Sequence, residues 1–468
     1  MKFVKMKKIF KSPSILIISI IILFVVGVHN NQSPAKYNHI IKYDVISYYS
    51  YLPALFVEKD LSLGFINDAN EKQYANENKY WPVKTSDGRR VIKTTMGTAV
   101  LYAPFFYVAH ISSSLCGYAS DGFSYPYQLA ILASGLFYLF FGLFFLRKSL
   151  LVYFTENVTA ATLSIIYFAS NLLCYSTLQS ACSHQYTFFL FSALIFSVIK
   201  WHLQINWKST ISIGLIIGLL SLVRIINILF ILPVLLYNVH TLVQLKDRIG
   251  LMLKNYKFIL AILLIAIFCF LPQIMYWKFI SGHYFYNSYV GENFYFFKPH
   301  LAECLIGFRK GWLIYTPVFV FALIGVYTMY KRKHPLFLSL VILLPLYFYV
   351  VASWWCWWYG GSFGLRSMID IYPLMAFSLA IFIETIISKS MLTKAMVVFL
   401  LLFFMVLNCF QTIQFHYNII NYDSMTFEAY KDRFFKITRA NCDRTLLARP
   451  DYNKGKLGED ATIPYEGE

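Results

Sequence analysis

The chain has 468 residues, of which 58% are hydrophobic, 19% are aromatic and only 14% are charged. Water-soluble domains carry about 25% charged residues, so this composition excludes an ordinary soluble domain, and the aromatic content excludes a disordered chain. The formal net charge of +18 fits a basic membrane face, and the sequence therefore predicts a membrane protein with no nucleic-acid partner.

The acidic residues are concentrated in two polar segments. Sixteen of the 23 lie within residues 30–96 and 412–468, whereas the basic residues of the apolar body occur mostly in short clusters between hydrophobic runs. Basic clusters between spans are typical of cytoplasmic loops. The charge pattern therefore predicts that both acidic segments lie outside and that the basic clusters lie inside.

Helices that cross a bilayer need about 20 apolar residues. The first such run, residues 13–29, follows five lysines and lacks a signal-peptidase pattern, which predicts an uncleaved anchor with a cytoplasmic N-terminus. Residues 30–96 then form an external loop. Further apolar runs follow along the chain, at residues 125–147, 157–178, 184–201, 210–240, 257–280, 312–330, 335–352, 367–388 and 392–411.

Two apolar segments do not fit a single span. Residues 97–117 contain Pro104 and lack anchoring charges, and residues 210–240 would reach about 46 Å as one helix, with Arg224 near the middle. We favour 97–117 as a juxtamembrane segment on the outer surface and 210–240 as two short helices that meet near Arg224. Every basic cluster then faces the cytoplasm, namely Arg147, Lys148, Lys200, Lys208, Lys246, Arg248, Lys254, Lys257, Lys331, Arg332, Lys333, Lys389 and Lys394.

The alternative is that both segments are single spans. The first two basic clusters would then move outside, and Arg224 at mid-bilayer would cost about 2.5 to 3.5 kcal/mol. Either arrangement predicts an all-α polytopic membrane protein with about eleven transmembrane helices and amphipathic juxtamembrane helices in the first external loop. Residues 1–411 form the membrane domain, and residues 412–468 form an external C-terminal tail.

Asp44 is the first candidate for chemistry. It opens the stretch YDVISYYSYLPAL, whose apolar residues recur with the spacing of a helix that lies on a membrane surface. A carboxylate at a helix start is commonly a cap. The functional hypothesis is a general base, because partial desolvation at the lipid boundary tunes a carboxylate for proton abstraction.

Basic residues in the outer loops are candidates for binding phosphate. Lys93 closes the first loop, Arg309 lies in the loop 281–311, and Arg366 begins a late helix. Such side chains commonly extend to lipid headgroups without further function. In a cleft with little water, however, the same cations stabilise a developing negative charge strongly.

The outer loops are also rich in aromatic residues, above all at 281–311 and 353–366. Tyrosine and tryptophan anchor proteins at headgroup level, and their flat rings also pack against the apolar faces of sugars. His184, at a further outer turn, fits either a helix-end hydrogen bond or substrate orientation. The candidate sugar or acceptor contacts are Tyr48, Tyr49, His184, Glu292, His300, Trp357 and Trp358.

Motifs for soluble cofactors are missing from the sequence. The eight cysteines show no paired spacing, and there is no zinc motif, P-loop, nucleophile elbow or dinucleotide fingerprint. The sequence therefore implies neither a divalent metal nor a nucleotide.

Four motifs, taken in order, resemble the GT-C superfamily of membrane glycosyltransferases, and the chain is similar to protein O-mannosyltransferases and the lipid A aminoarabinose transferase. The resemblance covers most of residues 13–411. Its parts are YDVISYYSYLPAL, KTTMGTAVLYAPFF, GLIIGLLSLVRIINILFILP and SFGLRSMIDIYP.

This resemblance implies an inverting glycosyltransferase of the bacterial inner membrane that moves a sugar from a polyprenyl-phosphate carrier to a glycan, lipid or protein acceptor outside. It implies that Asp44, in the catalytic loop 30–96, is the base and that Lys93 binds the donor phosphate, with Arg366 as a weaker candidate; Arg309 of the outer loop 281–311 is a further candidate for the same phosphate. The lipid-linked sugar is a co-substrate, and no cofactor is implied. Two alternatives remain open: a transporter or flippase of lipid-linked glycans, and a glycan polymerase or ligase.

Overall fold

A computed structural model of the chain describes residues 12–31, 40–85 and 87–465. Within them about 65% of the residues are helical and almost none are in sheet. The helices of the first half are α1 Pro13–Asn30, α2 Asp44–Tyr49, α3 Tyr51–Phe56, α4 Glu71–Asn76, α5 Gly97–Leu115, α6 Tyr125–Leu150, α7 Glu156–Phe168, α8 Leu172–Thr177, α9 Ser183–Leu203, α10 Trp207–Val223 and α11 Leu232–Leu236. Those of the second half are α12 Leu242–Lys254, α13 Tyr256–Ser281, α14 Leu301–Ile306, α15 Trp312–Tyr315, α16 Phe319–Lys331, α17 Phe337–Ala352, α18 Tyr372–Ile387, α19 Met391–His416, α20 Phe427–Arg433 and α21 Tyr452–Lys456.

Short 3₁₀ helices and two small sheets complete the described structure. The 3₁₀ helices are Ile225–Ile231, Arg366–Ile371 and Arg439–Asn441. Strand β1 (Pro82–Lys84) pairs antiparallel with β2 (Arg90–Ile92), and β3 (Ala448–Pro450) pairs antiparallel with β4 (Thr462–Pro464). Both sheets lie in the polar segments, and the first is joined to α13 by a hydrogen bond from the backbone N–H of Ile92 to the hydroxyl of Tyr276 (3.0 Å).

In the described parts of the chain, six helices are long and apolar enough to cross a membrane. They are α1, α6, α9, α13, α19, and α18 together with the preceding 3₁₀ helix, while α10, α16, α17 and Ile225–Leu236 are apolar but shorter. The structure thus supports a helical membrane protein, but not the count of about eleven. Helices α13 and α19 expose many large apolar side chains, as expected for surfaces in contact with lipid.

One end of the bundle collects basic side chains, and we call it the basic end. The ammonium groups of Lys148 and Lys200 lie 5.5 and 4.8 Å from the ring centre of Phe196. His334, just after α16, packs on Tyr153 with ring centres 4.6 Å apart. The C-terminal ends of α6, α9 and α16 therefore lie together.

The apolar run 210–240 bends at Arg224. Helix α10 ends one residue earlier, and Arg224 is extended (φ −152°, ψ 127°) before the 3₁₀ helix Ile225–Ile231 begins. Tyr237 then returns to the basic end, where its ring centre lies 4.6 Å from that of His202. The run enters and leaves at the same end, and the break predicted near Arg224 is confirmed.

The predicted span 157–178 is not one helix. It divides into α7 and α8, and the break falls at Ala169–Asn171. The side-chain oxygen of Asn171 accepts a hydrogen bond from the hydroxyl of Tyr372 (2.8 Å), and its amide donates to the carbonyl of Phe363 (3.4 Å). These tertiary bonds use the polar groups of the turn, so the chain can change direction inside the bundle.

The loops between the helices meet at the opposite end, which we call the loop end. Lys93 of the first loop pairs with Glu292 of the loop 282–300, and Glu292 also accepts a hydrogen bond from the indole of Trp355 (3.1 Å). Tyr452 of the tail packs on Trp358 with ring centres 5.3 Å apart. The first loop, the loop 282–300, the segment 353–366 and the tail thus form one continuous layer.

The helix predicted to lie on the membrane surface is instead enclosed by this layer. It forms two short helices, α2 and α3, and all residues from 45 to 54 are buried. The hydroxyls of Tyr49 and Tyr51 donate to the carbonyls of Gly122 and Thr94, on either side of α5. The face that the sequence assigned to lipid or water therefore packs against α5 and its flanks.

Candidate active site at the loop end

Asp44 is placed by a turn of unusual backbone geometry. The residue before it, Tyr43, has φ 53° and ψ −133° and occupies the N-cap position of α2 without a side-chain cap. A non-glycine residue with positive φ is strained, and such residues cluster at functional sites. Asp44 is therefore the first residue of α2, and its carboxylate points towards Arg366, the first residue of the 3₁₀ helix Arg366–Ile371.

Asp44 and Arg366 form a direct ion pair. Nη2 of Arg366 lies 2.6 Å from Oδ2 of Asp44; the Arg366 side chain is 11% exposed and the Asp44 side chain is 44% exposed. Burial raises the pKa of Asp44, but the charge and hydrogen bond of Arg366, together with smaller contributions from Arg224 and His184, hold that pKa below its usual value. The carboxylate is thus partly surrounded by protein but still accessible to a small molecule, and it is ionised at neutral pH.

Arg224, at the tip of the bent run, is a second cation at this site. Its charge lowers the pKa of Asp44 after the larger effects of burial and Arg366, and its side chain is 20% exposed. The start of α5 crosses the tip so closely that a Cβ on Gly97 would lie 2.3 Å from the backbone of Leu222. Glycine at this crossing lets the two segments meet beside Asp44.

A buried network of polar side chains supports Arg224. Nη1 of Arg224 lies 3.8 Å from Oδ2 of Asp370, which also accepts a hydrogen bond from the hydroxyl of Tyr347 (2.8 Å). Oδ1 of Asp370 lies 2.8 Å from Nδ1 of His184, and both of these side chains are fully buried. His184 therefore contacts the supporting network of Arg224 and is closed to substrate in this conformation.

Lys93 lies beside this centre rather than in it. Its ammonium pairs with Glu292 and sits 5.1 Å from the ring centre of Tyr289. Burial raises the pKa of the Tyr289 phenol, and the charges of Asp44 and Glu292 raise it further. Tyr289 is thus close both to Asp44 and to the Lys93–Glu292 pair, while Lys93 itself remains 31% exposed.

The two candidate tyrosines of α2 differ in their surroundings. Burial and the neighbouring charge of Asp44 raise the pKa of Tyr48 to about 12, and its hydroxyl accepts a hydrogen bond from Ser183 (3.3 Å). Tyr49 is fully buried among Tyr102, Phe106 and Phe123. Tyr48 borders the Asp44 site, and Tyr49 is part of the core.

The remaining candidates form a second cluster under the tail. The Arg309 guanidinium lies 5.5 and 5.9 Å from the rings of Trp357 and Trp358 and donates to the carbonyl of Ala448 (3.1 Å). His300 stacks on Trp357 with ring centres 5.3 Å apart. Since both tryptophans are buried, their faces are not available to a sugar in this conformation.

Sequence reasoning proposed Asp44 and Arg366 as site residues but assigned no site role to Arg224, Asp370, Tyr289 or Tyr347. The sequence did contain an indication for Arg224, because an ionisable residue within an apolar run is by default a candidate functional residue. Asp370 carried only the weaker signal of an acid near a helix end.

The site carries equal numbers of opposite charges. Each cation is already matched by a carboxylate, in the pairs Asp44–Arg366, Asp370–Arg224 and Glu292–Lys93. Such an arrangement can deprotonate a hydroxyl at Asp44 and offer guanidinium donors to an anion. Among the residues that the structure describes, the cluster with metal-ligand geometry lies elsewhere, at His300, Glu303 and Asp460.

A separate open cavity of about 290 Å³ lies beside the first loop. Asp121, Gln128 and Glu77 contribute to its wall, and none of the residues of the three charge pairs does. We place the candidate chemistry at the charge pairs, because a catalytic site needs an accessible base and anion donors close together.

Comparisons with protein-family models, with curated proteins and with solved structures found no match for this chain.

Proposed function

We propose that the chain is an inverting glycosyltransferase that moves a sugar from a polyprenyl-phosphate carrier to a cell-envelope acceptor on the outer face of a bacterial inner membrane. One observation carries the proposal: Asp44, an ionised and accessible carboxylate, lies against Arg366 and near Arg224 at one end of an apolar bundle. A base next to anion donors, within reach of lipid, fits a substrate that joins a hydrophobic tail, a phosphate and a sugar.

In the proposed reaction, Asp44 takes the proton of an acceptor hydroxyl while its oxygen forms a bond to the anomeric carbon. The bond from that carbon to the phosphate oxygen breaks, and its electron pair leaves with the polyprenyl phosphate. Attack opposite the leaving group inverts the anomeric centre. A positioned general base contributes roughly 10²- to 10⁴-fold.

The donor phosphate would compete with Asp44 for Arg366. Since all three cations of the site are already paired, an incoming phosphate gains full hydrogen bonds only by displacing a carboxylate, and Asp44 is the most exposed of the three. Donor binding would then free the base at the moment it is needed. Arg366 and Arg224 thus take the main phosphate role, with Lys93 at the edge.

The proposal is tested by the lipids that accumulate without the enzyme. Extracts from the native host lacking this chain, and from the same host carrying wild type, Asp44→Asn or Asp87→Asn, are compared by mass spectrometry for polyprenyl-phosphate sugars. We expect one such lipid to accumulate in the deletion and in Asp44→Asn only. Asp87, an exposed acid of the same loop that pairs with Arg89, is the matched control.

Transfer is then measured with that lipid and purified protein in vesicles. Asp44→Asn should lower the rate at least a hundredfold at equal protein levels in the membrane. A rate within tenfold of wild type would show that Asp44 is not the base.

A second candidate function, transport of a lipid-linked glycan, is favoured by the buried Asp370, His184 and Arg224 network, because ionisable groups inside a helical bundle often line a transport path. Movement of the intact lipid across vesicles, with no glycosylated product, would support this candidate over the transferase.

A further inference from the structure

Outside the Asp44 site, three side chains with metal-binding atoms converge between the loop 282–300 and the tail. His300, Glu303 and Asp460 each offer one ligand atom, and these atoms all lie within 4.8 Å of one another. His300 precedes α14 and Glu303 lies in its first turn, whereas Asp460 follows α21. The fold thus brings Asp460 of the tail to His300 and Glu303, which lie close together much earlier in the sequence.

Two contacts fix the imidazole of His300. Its ring stacks on Trp357 with an interplanar angle of 24°, and its backbone N–H donates to the carbonyl of Ala352 (2.9 Å). Nδ1 then points to Oδ2 of Asp460 at 3.9 Å, too far for a hydrogen bond. Within the described residues, none of the three ligand side chains forms a hydrogen bond, so no described partner occupies their lone pairs.

This spacing suits a metal ion better than direct contact. Ligand bonds of about 2.0 to 2.1 Å in a tetrahedral zinc site place two ligand atoms about 3.3 Å apart. Small side-chain rotations would bring the three atoms from their present separations to that distance. An imidazole with two carboxylates favours Zn²⁺ over Mg²⁺ or Ca²⁺, which prefer oxygen ligands alone.

Arg309 is the main competitor for the carboxylates. Burial lowers its pKa and the charge of Asp460 opposes this, but the guanidinium lies over Trp357 and donates to the carbonyl of Ala448. Among the described residues, the ion pair of Asp460 within 4.0 Å is with His300 and not with Arg309. Two carboxylates against one guanidinium leave a net negative charge for a cation.

We propose that His300, Glu303 and Asp460 bind one Zn²⁺ ion that fastens the tail to the loop end, with a fourth position open to water. Without the ion, this part of the tail is held by Tyr452 against Trp355 and Trp358 and by the hydroxyl of Tyr295, which donates to the carbonyl of Lys456. The ion would add a cross-link just beyond these contacts. The proposal does not depend on the transferase assignment.

The test uses the full-length protein, purified in detergent and freed of metal with a chelator. Titration with Zn²⁺ should give one tight equivalent in wild type, and Co²⁺ should give the visible absorption of a tetrahedral nitrogen and oxygen site. His300→Ala and Asp460→Asn should each weaken binding at least tenfold. Asp460 is 39% exposed, so its variant should fold even if His300→Ala does not.

The matched controls are Glu459→Gln, an exposed acid next to Asp460, and His283→Ala, an exposed histidine of the same loop. Both should bind like wild type, and Mg²⁺ should not displace the ion. Zn²⁺ should also slow protease cleavage after residue 456 in wild type but not in Asp460→Asn. Absence of a stoichiometric site, or equal binding in Asp460→Asn and Glu459→Gln, would overturn the proposal.

Discussion

Neutralising Asp44 and Arg366 together should destabilise the protein less than the two single changes added. The charged atoms are 2.6 Å apart, and two unit charges centred about 4 Å apart interact by about 4 kcal/mol at an effective dielectric constant of about 20. Because 44% of the Asp44 side chain is exposed, water screens the pair, and we expect a coupling energy of about 1 kcal/mol.

The assay is a double-mutant cycle of Asp44→Asn, Arg366→Met and the double variant, followed by thermal unfolding in detergent. The midpoint of the double variant should lie above the value that the two single shifts predict. An equivalent cycle at the exposed pair Asp87–Arg89 should be additive, because both side chains are half exposed. Stability is measured rather than transfer, so the result does not depend on the proposed function.

Additive shifts in the Asp44 cycle would refute the reasoning. They would mean that Arg366 does not influence the carboxylate, and the lowered pKa of Asp44 and its displacement by phosphate would both lose their basis. A coupled result with unchanged transfer in Asp44→Asn would instead retain the pair and exclude the base.

Three further predictions concern charge and pH. Arg366→Gln removes the positive charge that lowers the pKa of Asp44, while burial still raises it. The pKa of Asp44 should therefore rise, and the acid limb of a pH–rate profile should move to higher pH. Burial lowers the pKa of Lys310 from 10.5 to about 7. Between about pH 7 and pH 10.5 the unfolded state therefore binds more protons than the folded state, and the free energy of unfolding rises with pH. Thermal midpoints should show this slope in wild type and not in Lys310→Met. Asp370→Asn leaves Arg224 unpaired, and its unfolding midpoint should fall by the equivalent of about 3 kcal/mol or more.

The sequence was informative where a physical constraint acts locally. A cation in the middle of the apolar run 210–240 cannot remain in hydrocarbon at low cost, which predicted the break at Arg224. Resemblance to a family made Lys93 the main candidate for the donor phosphate and put Asp44, as the base, in one site with Arg366, a weaker phosphate candidate. It gave no sign that they would pair with each other before substrate arrives, since that depends on how the loop end closes.

Features that depend on contacts between distant segments could not be predicted. The turn at Ala169–Asn171 lies in a run that is apolar enough to span, and it is stabilised by Tyr372 and Phe363 from much later in the chain. The tryptophans at 354–358 suggested a sugar groove, but Tyr452 and Gly455 of the tail pack on Trp358. Composition cannot reveal that cover, because aromatic residues at a membrane surface serve both purposes.

One structural solution accounts for both the bent run and the charge at the site. A continuous helix would leave Arg224 among apolar side chains. The bend instead brings the guanidinium of Arg224 to Oδ2 of Asp370. Oδ1 of Asp370 contacts His184, and these groups form a buried network. The network ties the tip of the bend to the 3₁₀ helix that begins with Arg366. Two arginines from distant segments are thereby fixed relative to one carboxylate, so the stability of the bend and the geometry of the anion site are expected to change together.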